Sequence, residues 1–480
     1  MNGSMTVAVD LGLALLAMLP EHLLLTGAVL LLGLDIAGKG ARLALSVAIA
    51  FVAAGAIAAV VMGAQGISGE VFPGLLAVSP SVLLAKGVLL GLAVPVLLMS
   101  RDDFEGGEFP ALVLLSLCGI SLLLSAESLL ISFLGLELMS IPVYALIVLG
   151  YRRPESAEAS LKYLVLGGTA TAMFLMGVAL LFDATGSMAF DTFAAALASP
   201  DLVSRAAVVL ILLAFFIKAA IVPFHAWAPD AYETASLAVT AYMATIIKGG
   251  VLLAIARIIG PAPITSPMVE LLVLFPLVSI VWGNLTAMRQ GSFRRMIAYS
   301  SIAHAGYLFY AMLGDGAGRF AAMVFYVLVY GVVNVLAFAA LPAAHEDRDR
   351  GQLEQLQGLY HRQPFAALVI GVAMLSLAGL PPFPGFVAKF LIFKNVLAAG
   401  YGTYAVLGLV GSYVGIYFYL RVIQLMFMSR PAQAHGADFT IHPNPRPPLT
   451  TSGFAHSAAV LCLMATLLLA VMPGWVLDHL

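Results

Sequence analysis

The sequence predicts an all-α polytopic membrane protein with about 14 transmembrane helices, each needing roughly 20 mostly apolar residues. Two observations support this fold class. The chain has 480 residues, of which 62% are hydrophobic and only 10% are charged, whereas soluble domains average about 45–50% apolar and about 25% charged residues. The apolar runs are also continuous, unlike the alternating strands of a membrane β-barrel. This composition excludes a water-soluble globule and a disordered chain.

Net charge and cysteine content exclude further classes of function. The net charge of −2 gives no reason to expect nucleic acid as a partner. The two cysteines, Cys118 and Cys462, both lie inside apolar runs. We therefore expect buried packing thiols, because two separated cysteines cannot build a disulfide framework, a metal site or an iron–sulfur cluster.

The apolar runs mark where each span begins. The predicted starting points lie near Leu11, Ala41, Val78, Pro110, Ser128, Ala159, Arg205, Thr234, Met268, Ile297, Arg319, Pro364, Gly402 and Ser452.

Basic residues between the spans predict the orientation, since cytoplasmic loops are enriched in lysine and arginine. Even-numbered connections or their edges carry Arg205, Arg257 and Arg319. Odd-numbered connections carry many more, namely Lys39, Arg42, Arg101, Arg152, Arg153, Arg294, Arg295, Arg348, Arg350, Arg362, Arg430 and Arg446. We therefore expect the odd connections in the cytoplasm and both termini on the outer side of the membrane.

Charged residues inside the spans are candidate functional residues, because each costs at least about 2.5–3.5 kcal/mol near the bilayer centre. The chain has seven lysines, and most of them lie within spans. The central set consists of Glu137, Lys218, Lys248, His304 and Lys389. Titratable groups distributed over several helices are typical of a proton relay.

Each of these residues also has a simpler interpretation. Lys86, Lys162 and Lys394 lie nearer span ends, where a lysine can extend to the membrane surface. Glu137 with one lysine could be a structural ion pair. Burial disfavours the charged form of a lysine and a nearby carboxylate favours it. Our hypothesis is that Glu137 switches Lys218 in this way.

Two spans are interrupted by proline beside a lysine. The seventh contains Pro223 and Pro229 near Lys218, and the twelfth contains a proline-rich segment before Lys389. Proline breaks or kinks a helix interior, and two interrupted segments in corresponding halves are typical of the ion sites of inverted-repeat transporters.

The spacing of the charged residues also predicts a repeat. Glu137 precedes Lys218 by nearly the same interval as His304 precedes Lys389, and Arg421 takes the place of Lys248 in the second half. We therefore expect two inverted five-helix repeats. The predicted divisions are a three-helix segment at 1–108, repeats at 109–260 and 261–430, and a loop with the last helix at 431–480.

Motifs for other chemistry are weak. The glycines lack the strand–loop–helix context of a nucleotide site, and we find no redox centre in the sequence. His225, beside Pro223 and Trp227, is interpreted as a lining residue with a lesser chance of carrying protons.

Several segments together resemble the antiporter-like membrane subunits of respiratory complex I. These are Asn284–Gln290, Arg294–Tyr307, Val222–Glu233 and Ser376–Phe386. Within that family, Gly385–Lys394 and Tyr417–Arg421 are similar to the subunit N branch of NADH:quinone oxidoreductase. Lysine at position 389 argues against the subunit M branch.

The resemblance implies proton translocation along a hydrated axis at mid-membrane depth. By position, Glu137 and Lys218 match the family's coupled pair, Lys248 its central relay, His304 a connecting histidine and Lys389 the exit-side lysine. Accessory candidates are Lys162, His225, Lys394 and Arg421. No cofactor is expected in this chain, since flavin, iron–sulfur clusters and quinone would belong to partner subunits. The implied partners are the bilayer and the other complex I membrane subunits, including neighbouring antiporter-like and small subunits.

Two rival functions remain open at this point. One is a subunit of a multisubunit sodium/proton antiporter. The other is a non-transporting scaffold whose charges are structural.

Overall fold

The computed structural model describes residues 11–38, 40–104, 106–151, 153–260, 268–314, 316–342, 352–428 and 453–479. Several residues used for the orientation lie outside these ranges: Lys39, Arg152, Arg348, Arg350, Arg430 and Arg446. The proposed division points near 261 and 431 also lie outside them. The orientation and the domain division therefore stay predictions.

Helices make up nearly all of the described chain. The first half contains α1 (Leu11–Ala17), α2 (Leu19–Ile36), α3 (Gly40–Ala64), α4 (Pro80–Met99), α5 (Glu108–Ser125), α6 (Leu129–Tyr151), α7 (Pro154–Thr185), α8 (Phe190–Ala196), α9 (Leu202–Ala219), α10 (Trp227–Thr234), α11 (Leu237–Tyr242) and α12 (Lys248–Ile259). The second half contains α13 (Met268–Ala287), α14 (Phe293–Ala311), α15 (Gly316–Ala339), α16 (Leu359–Arg362), α17 (Pro364–Ala378), α18 (Pro384–Ala398), α19 (Gly402–Met428), α20 (Gly453–Val471) and α21 (Pro473–Leu477).

The polytopic all-α class is confirmed. In the described chain, 11 helices are long and apolar enough to cross a membrane, and two shorter apolar helices lie at 271–287 and 364–378. Each predicted starting point falls close to the first residue of a helix. The number of 14 spans and the inverted repeats stay predictions.

A short β-hairpin between α3 and α4 was not predicted from the sequence. Its strands are β1 (Gly69–Phe72) and β2 (Leu76–Val78), paired antiparallel with Gly69 opposite Val78. Gly74, at φ +67°, lies in the turn between them. The hairpin satisfies backbone groups where the chain leaves one helix and enters the next.

Burial distinguishes central helices from peripheral ones. The segment Leu237–Ile259, formed by α11, a π-helical turn and α12, is the most deeply buried, and α15 is also largely enclosed. In contrast, α2, α3, α7, α19 and α20 leave many large apolar side chains exposed. Such an apolar exterior fits a lipid environment, where every backbone polar group must find its hydrogen-bond partner within the protein. Cys118 and Cys462 are free and buried, as predicted.

Candidate functional site

The first broken helix ends beside Lys218. Helix α9 stops at Ala219, and Ala220 follows in the left-handed conformation at φ +59°. The chain is then held across the gap, because the Val222 N–H donates to Ser279 Oγ at 2.9 Å and the Trp227 indole N–H donates to the Ile217 carbonyl at 2.9 Å. The break therefore has fixed partners. It also places Lys218 in the last turn of α9, where the helix dipole favours a cation.

Lys218 and Glu137 form an ion pair between α9 and α6. The distance from Lys218 Nζ to Glu137 Oε1 is 3.4 Å, and Nζ also donates to Ser140 Oγ at 3.0 Å. Lys218 is 4% exposed and the Glu137 side chain 24% exposed. The Thr171 hydroxyl, on α7, donates to the same Glu137 oxygen at 2.5 Å. Glu137 Oε1 thus lies closer to the Thr171 hydroxyl than to the lysine ammonium.

Lys248 follows directly after a π-helical turn at Met243–Ile247. Single π turns inside α-helices often occur at functional sites. Lys248 is buried, and its Nζ donates to Ser301 Oγ at 2.5 Å and to the Ser301 carbonyl at 3.1 Å. The ammonium also lies 5.9 Å from the centre of the Tyr232 ring. Lys248 and Lys218 share no hydrogen bond within the described chain.

His304 connects the neighbourhood of Lys248 to that of Lys389. Its Nδ1 lies 2.7 Å from the Tyr326 hydroxyl, and its Nε2 lies 3.1 Å from the Tyr419 hydroxyl. The Tyr419 hydroxyl in turn lies 2.5 Å from Ser300 Oγ, next to the Ser301 that binds Lys248. Both ring nitrogens therefore have a hydroxyl partner that can either donate or accept.

Lys389 lies on α18, just after the second break. Its Nζ donates to the Ala378 carbonyl at 3.1 Å and to Ser412 Oγ at 3.0 Å. Ala378 is the last residue of α17, and Gly379 after it has φ +79°. Lys389 therefore places its ammonium at the C-terminal end of the first half of a broken helix. Lys218 also lies at the C-terminal end of a half-helix. It belongs to the half-helix before its break, whereas Lys389 belongs to the half-helix after its break.

Two small cavities lie beside these groups. One is lined by Glu137, Thr171 and Lys218, and the other by His304, Ser376 and Lys389, together with apolar and tyrosine side chains. Each has a volume of about 10 Å³, close to the least that holds one water molecule. Glu137 and Lys218 therefore line one cavity, and His304 and Lys389 line a separate one.

The accessory candidates lie away from these cavities. Lys162 is partly exposed and binds Glu158 and Asp230, each at 2.8 Å. Arg295 binds Asp230 at 3.0 Å, so Lys162 belongs to an ionic cluster that joins α7, α10 and α14. Arg421 donates to the Met288 carbonyl at 3.1 Å.

The remaining two accessory residues also lie outside the hydrogen-bonded groups. Lys394 is exposed. His225 is partly buried, and its Nδ1 has no hydrogen-bond partner among the described residues.

The interpretation of Lys86 as a lysine that extends to the membrane surface is wrong. Lys86 is 1% exposed, and its Nζ lies 2.5 Å from Oε1 of Glu21 on α2. The sequence alone did not indicate this pair, because the two residues lie on different helices and Glu21 is close to the start of its own.

Hydroxyl groups are the partners of the central lysines that sequence reasoning missed. Each of the three central lysines donates to a serine on another helix: Ser140 for Lys218, Ser301 for Lys248 and Ser412 for Lys389. Serine and threonine are common in membrane helices and usually bond to their own backbone. Ser140 does so as well, through the Leu136 carbonyl. The number of serines and threonines in the sequence therefore does not indicate which of them bind the lysines.

The broken helices and their buried lysines define an antiporter-like membrane subunit. Residues 126–415 match the family model for NADH:quinone oxidoreductase/Mrp antiporter transmembrane proteins. The chain belongs to this family, as the sequence motifs indicated.

Known relatives extend the match over most of the chain. NADH-quinone oxidoreductase subunit N of Pelobacter propionicus is 37% identical over 415 residues, which cover 86% of this chain and 89% of the relative. A chain of respiratory complex I from Thermus thermophilus superimposes with a TM-score of 0.81 at 33% identity, covering 96% of this chain and 98% of that one. A chain of the Mrp complex from Dietzia gives a TM-score of 0.83 at 25% identity, covering 98% and 96%. The resemblance to the subunit N branch is thereby confirmed.

Proposed function

We propose that this chain moves protons from the cytoplasm to the outside of a bacterial inner membrane. The path would run through Glu137, Lys218, Lys248, His304 and Lys389. The driving energy would come from redox chemistry in other subunits of an NADH:quinone oxidoreductase. The observation that carries the proposal is the shared environment of the three central lysines, each buried and each donating to a serine hydroxyl of another helix.

This environment suits proton exchange. A lysine without a full counter-charge in a dry interior can lose its proton, because burial penalises the ammonium form. A serine hydroxyl accepts from the ammonium and can donate to the neutral amine. Each lysine therefore keeps a hydrogen bond in both states, and the proton can pass to a nearby water.

Glu137 would act as the control point. Its Oε1 accepts from both Thr171 and Lys218. When the carboxylate moves towards Lys218, it favours the charged lysine, and when it moves towards Thr171, the lysine loses that support. A charge arriving in a neighbouring subunit could shift this balance, and so transmit the driving signal without any redox group in this chain.

His304 would join the two halves of the path. Its two tyrosine partners, Tyr326 and Tyr419, keep both ring nitrogens hydrogen-bonded, and a proton taken up at one nitrogen can be released from the other. Lys389 would then pass the proton towards the periplasmic side, where both termini are expected.

Partners follow from the same proposal. The chain would lie among the other membrane subunits of complex I, including antiporter-like and small ones, with flavin, iron–sulfur clusters and quinone bound elsewhere in the assembly. The complex I chain from Thermus thermophilus supports this placement, since the likeness covers nearly the whole of both chains.

The test is alanine substitution of Lys218, Lys248 and Lys389, one at a time, in the assembled complex in vesicles. We expect each substitution to lower the rate of NADH-driven proton uptake by about tenfold. This corresponds to a rise of about 1.4 kcal/mol in the activation free energy. The matched control is Lys394→Ala, because Lys394 is exposed on the same helix as Lys389. Full pumping in all three variants would contradict the proposal and favour a scaffold.

A sodium/proton antiporter subunit is the second candidate, favoured by the likeness to the Mrp chain. Purification from the native membrane separates the two. Co-purification with NADH-oxidising, flavin-bearing subunits supports the complex I assignment, and their absence together with sodium-dependent proton exchange supports the antiporter.

A further inference from the structure

A second buried ion pair lies outside the proposed relay. Glu21 on α2 is 5% exposed and Lys86 on α4 is 1% exposed. Lys86 Nζ donates to Glu21 Oε1 at 2.5 Å, and the Ser121 hydroxyl on α5 donates to the same oxygen at 2.7 Å. All three residues precede the segment 126–415 that matches the family model.

This trio repeats the arrangement around Glu137. In both places one carboxylate oxygen accepts from a lysine and from a hydroxyl, and the three groups come from three different helices. The Glu21 trio is the more deeply buried of the two. Its carboxylate also has a free position, because Glu21 Oε2 is buried without a hydrogen-bond partner in the described part of the chain.

Stability is a weak explanation for the trio. A buried ion pair can often be replaced by apolar side chains with no loss of stability, because desolvation cancels the attraction between the charges. An unpaired buried carboxylate oxygen adds a further cost. Ionisable residues buried among membrane-spanning helices are candidate functional residues.

The trio lies beside the relay helices. Leu89, one turn after Lys86, packs against Gly249, and Ile120, next to Ser121, packs against Gly250. Both glycines follow Lys248 directly in the sequence. On the other side, the Ser116 hydroxyl of α5 donates to the Met139 carbonyl at 2.8 Å, on the helix that carries Glu137.

We propose that Glu21, Lys86 and Ser121 form a second proton-binding site, whose ligand is one proton held on Oε2 of Glu21 and exchanged during turnover. An O–H bond forms at Oε2, and the donor is a water-borne hydronium that becomes water. The helix contacts at Gly249 and Gly250 would carry this change of protonation to the segment that holds Lys248. Proton binding at Glu21 does not depend on the proposed relay, whereas its use in turnover does.

Infrared difference spectroscopy of the complex tests proton binding itself. Acidification should produce a protonated-carboxyl band that shifts in deuterated water and is lost in Glu21→Gln. The control is Glu127→Gln, since Glu127 is a partly exposed partner of Arg257 and its loss should leave the Glu21 band in place. A band unchanged in Glu21→Gln overturns the site.

Charge-balanced variants test its use in turnover. A merely structural ion pair predicts that Glu21→Gln impairs the complex and that the double variant Glu21→Gln with Lys86→Gln restores it. A proton site predicts that both variants lower NADH-driven proton uptake by about threefold, within the range of measured couplings between sites. Full recovery in the double variant overturns the proposal.

Ser121→Ala covers the case in which the charge variants do not assemble. It keeps both charges and removes one donor to Oε1, so it should shift the carboxyl band and reduce proton uptake, whereas Ser121→Thr keeps the hydroxyl and should match the parent chain. An unshifted band with full uptake in Ser121→Ala counts against the site.

Discussion

The ammonium of Lys389 donates a hydrogen bond to the carbonyl oxygen of Ala378 at 3.1 Å, across the break between α17 and α18. This contact joins the two features that identify the site, a lysine at membrane depth and a helix end whose carbonyls lack helical partners. The break is therefore more than a kink, because it supplies the acceptor that holds the lysine.

Gly379→Ala should disturb this contact. Gly379 has φ +79°, and a Cβ there would lie 2.8 Å from Lys389 Cδ and 3.2 Å from Nζ. We expect a loss of about 1–2 kcal/mol in stability from the left-handed backbone, together with reduced proton pumping as Lys389 is displaced. Thermal unfolding and vesicle pumping measure the two effects.

The control for this variant is Gly400→Ala. Gly400 has φ +89° and nothing within 4 Å of the added Cβ, so it should lose similar stability without losing pumping. Equal pumping in both variants would show that the position of Lys389 does not matter.

Glu137→Gln should lower the rate of pumping by about tenfold, which is a rise of about 1.4 kcal/mol in the activation free energy, while the complex still assembles. The glutamine keeps the shape and an acceptor for Thr171 but removes the charge that supports Lys218. Glu158→Gln is the control, since Glu158 is 65% exposed in its pair with Lys162. Unchanged pumping in Glu137→Gln rules out the switching role of this carboxylate.

Thr171→Val should change pumping by about threefold, since one hydrogen bond is worth about 0.5–1.5 kcal/mol. Without the hydroxyl, Glu137 Oε1 is free to move closer to Lys218 and to hold it in the charged form. Thr169→Val on the same helix is the control, because Thr169 is exposed and binds only the Val165 carbonyl among the described residues. Proton uptake by vesicles gives the comparison, and identical rates for the two variants would exclude Thr171 from the switch.

Tyr419→Phe should slow pumping by removing the hydroxyl between His304 and Ser300. The ring stays in place, so packing is kept and an effect of about threefold or more is expected from the lost hydrogen bonds. Tyr310→Phe is the matched control, because the Tyr310 hydroxyl is without a hydrogen-bond partner in the described chain. A silent Tyr419→Phe would show that protons pass His304 by another route.

Hydropathy and proline spacing were enough to predict the helical class, the positions of the helices and both breaks. They also identified the lysines, because a charge at membrane depth is costly wherever it occurs. Hydropathy could not show whether Lys86 reaches the surface or a partner, since Glu21 lies on another helix and only packing brings the two together. The serine partners and Thr171 were missed for a similar reason, as a hydroxyl usually bonds within its own helix.

The π-helical turn at Met243–Ile247 has a consequence for the tolerance of the chain to insertion and deletion. A π turn accommodates one more residue than the α-helical turn it replaces, so the direction in which Lys248 points depends on that extra residue. Deleting one residue from the turn would leave a regular helix of good stability, but would rotate the preceding and following side chains relative to each other by about 100°. Lys248 or the residues before the turn would then lose their present neighbours, and no point substitution could restore both faces. Deletion of a residue from this segment is therefore expected to be more damaging than a substitution within it.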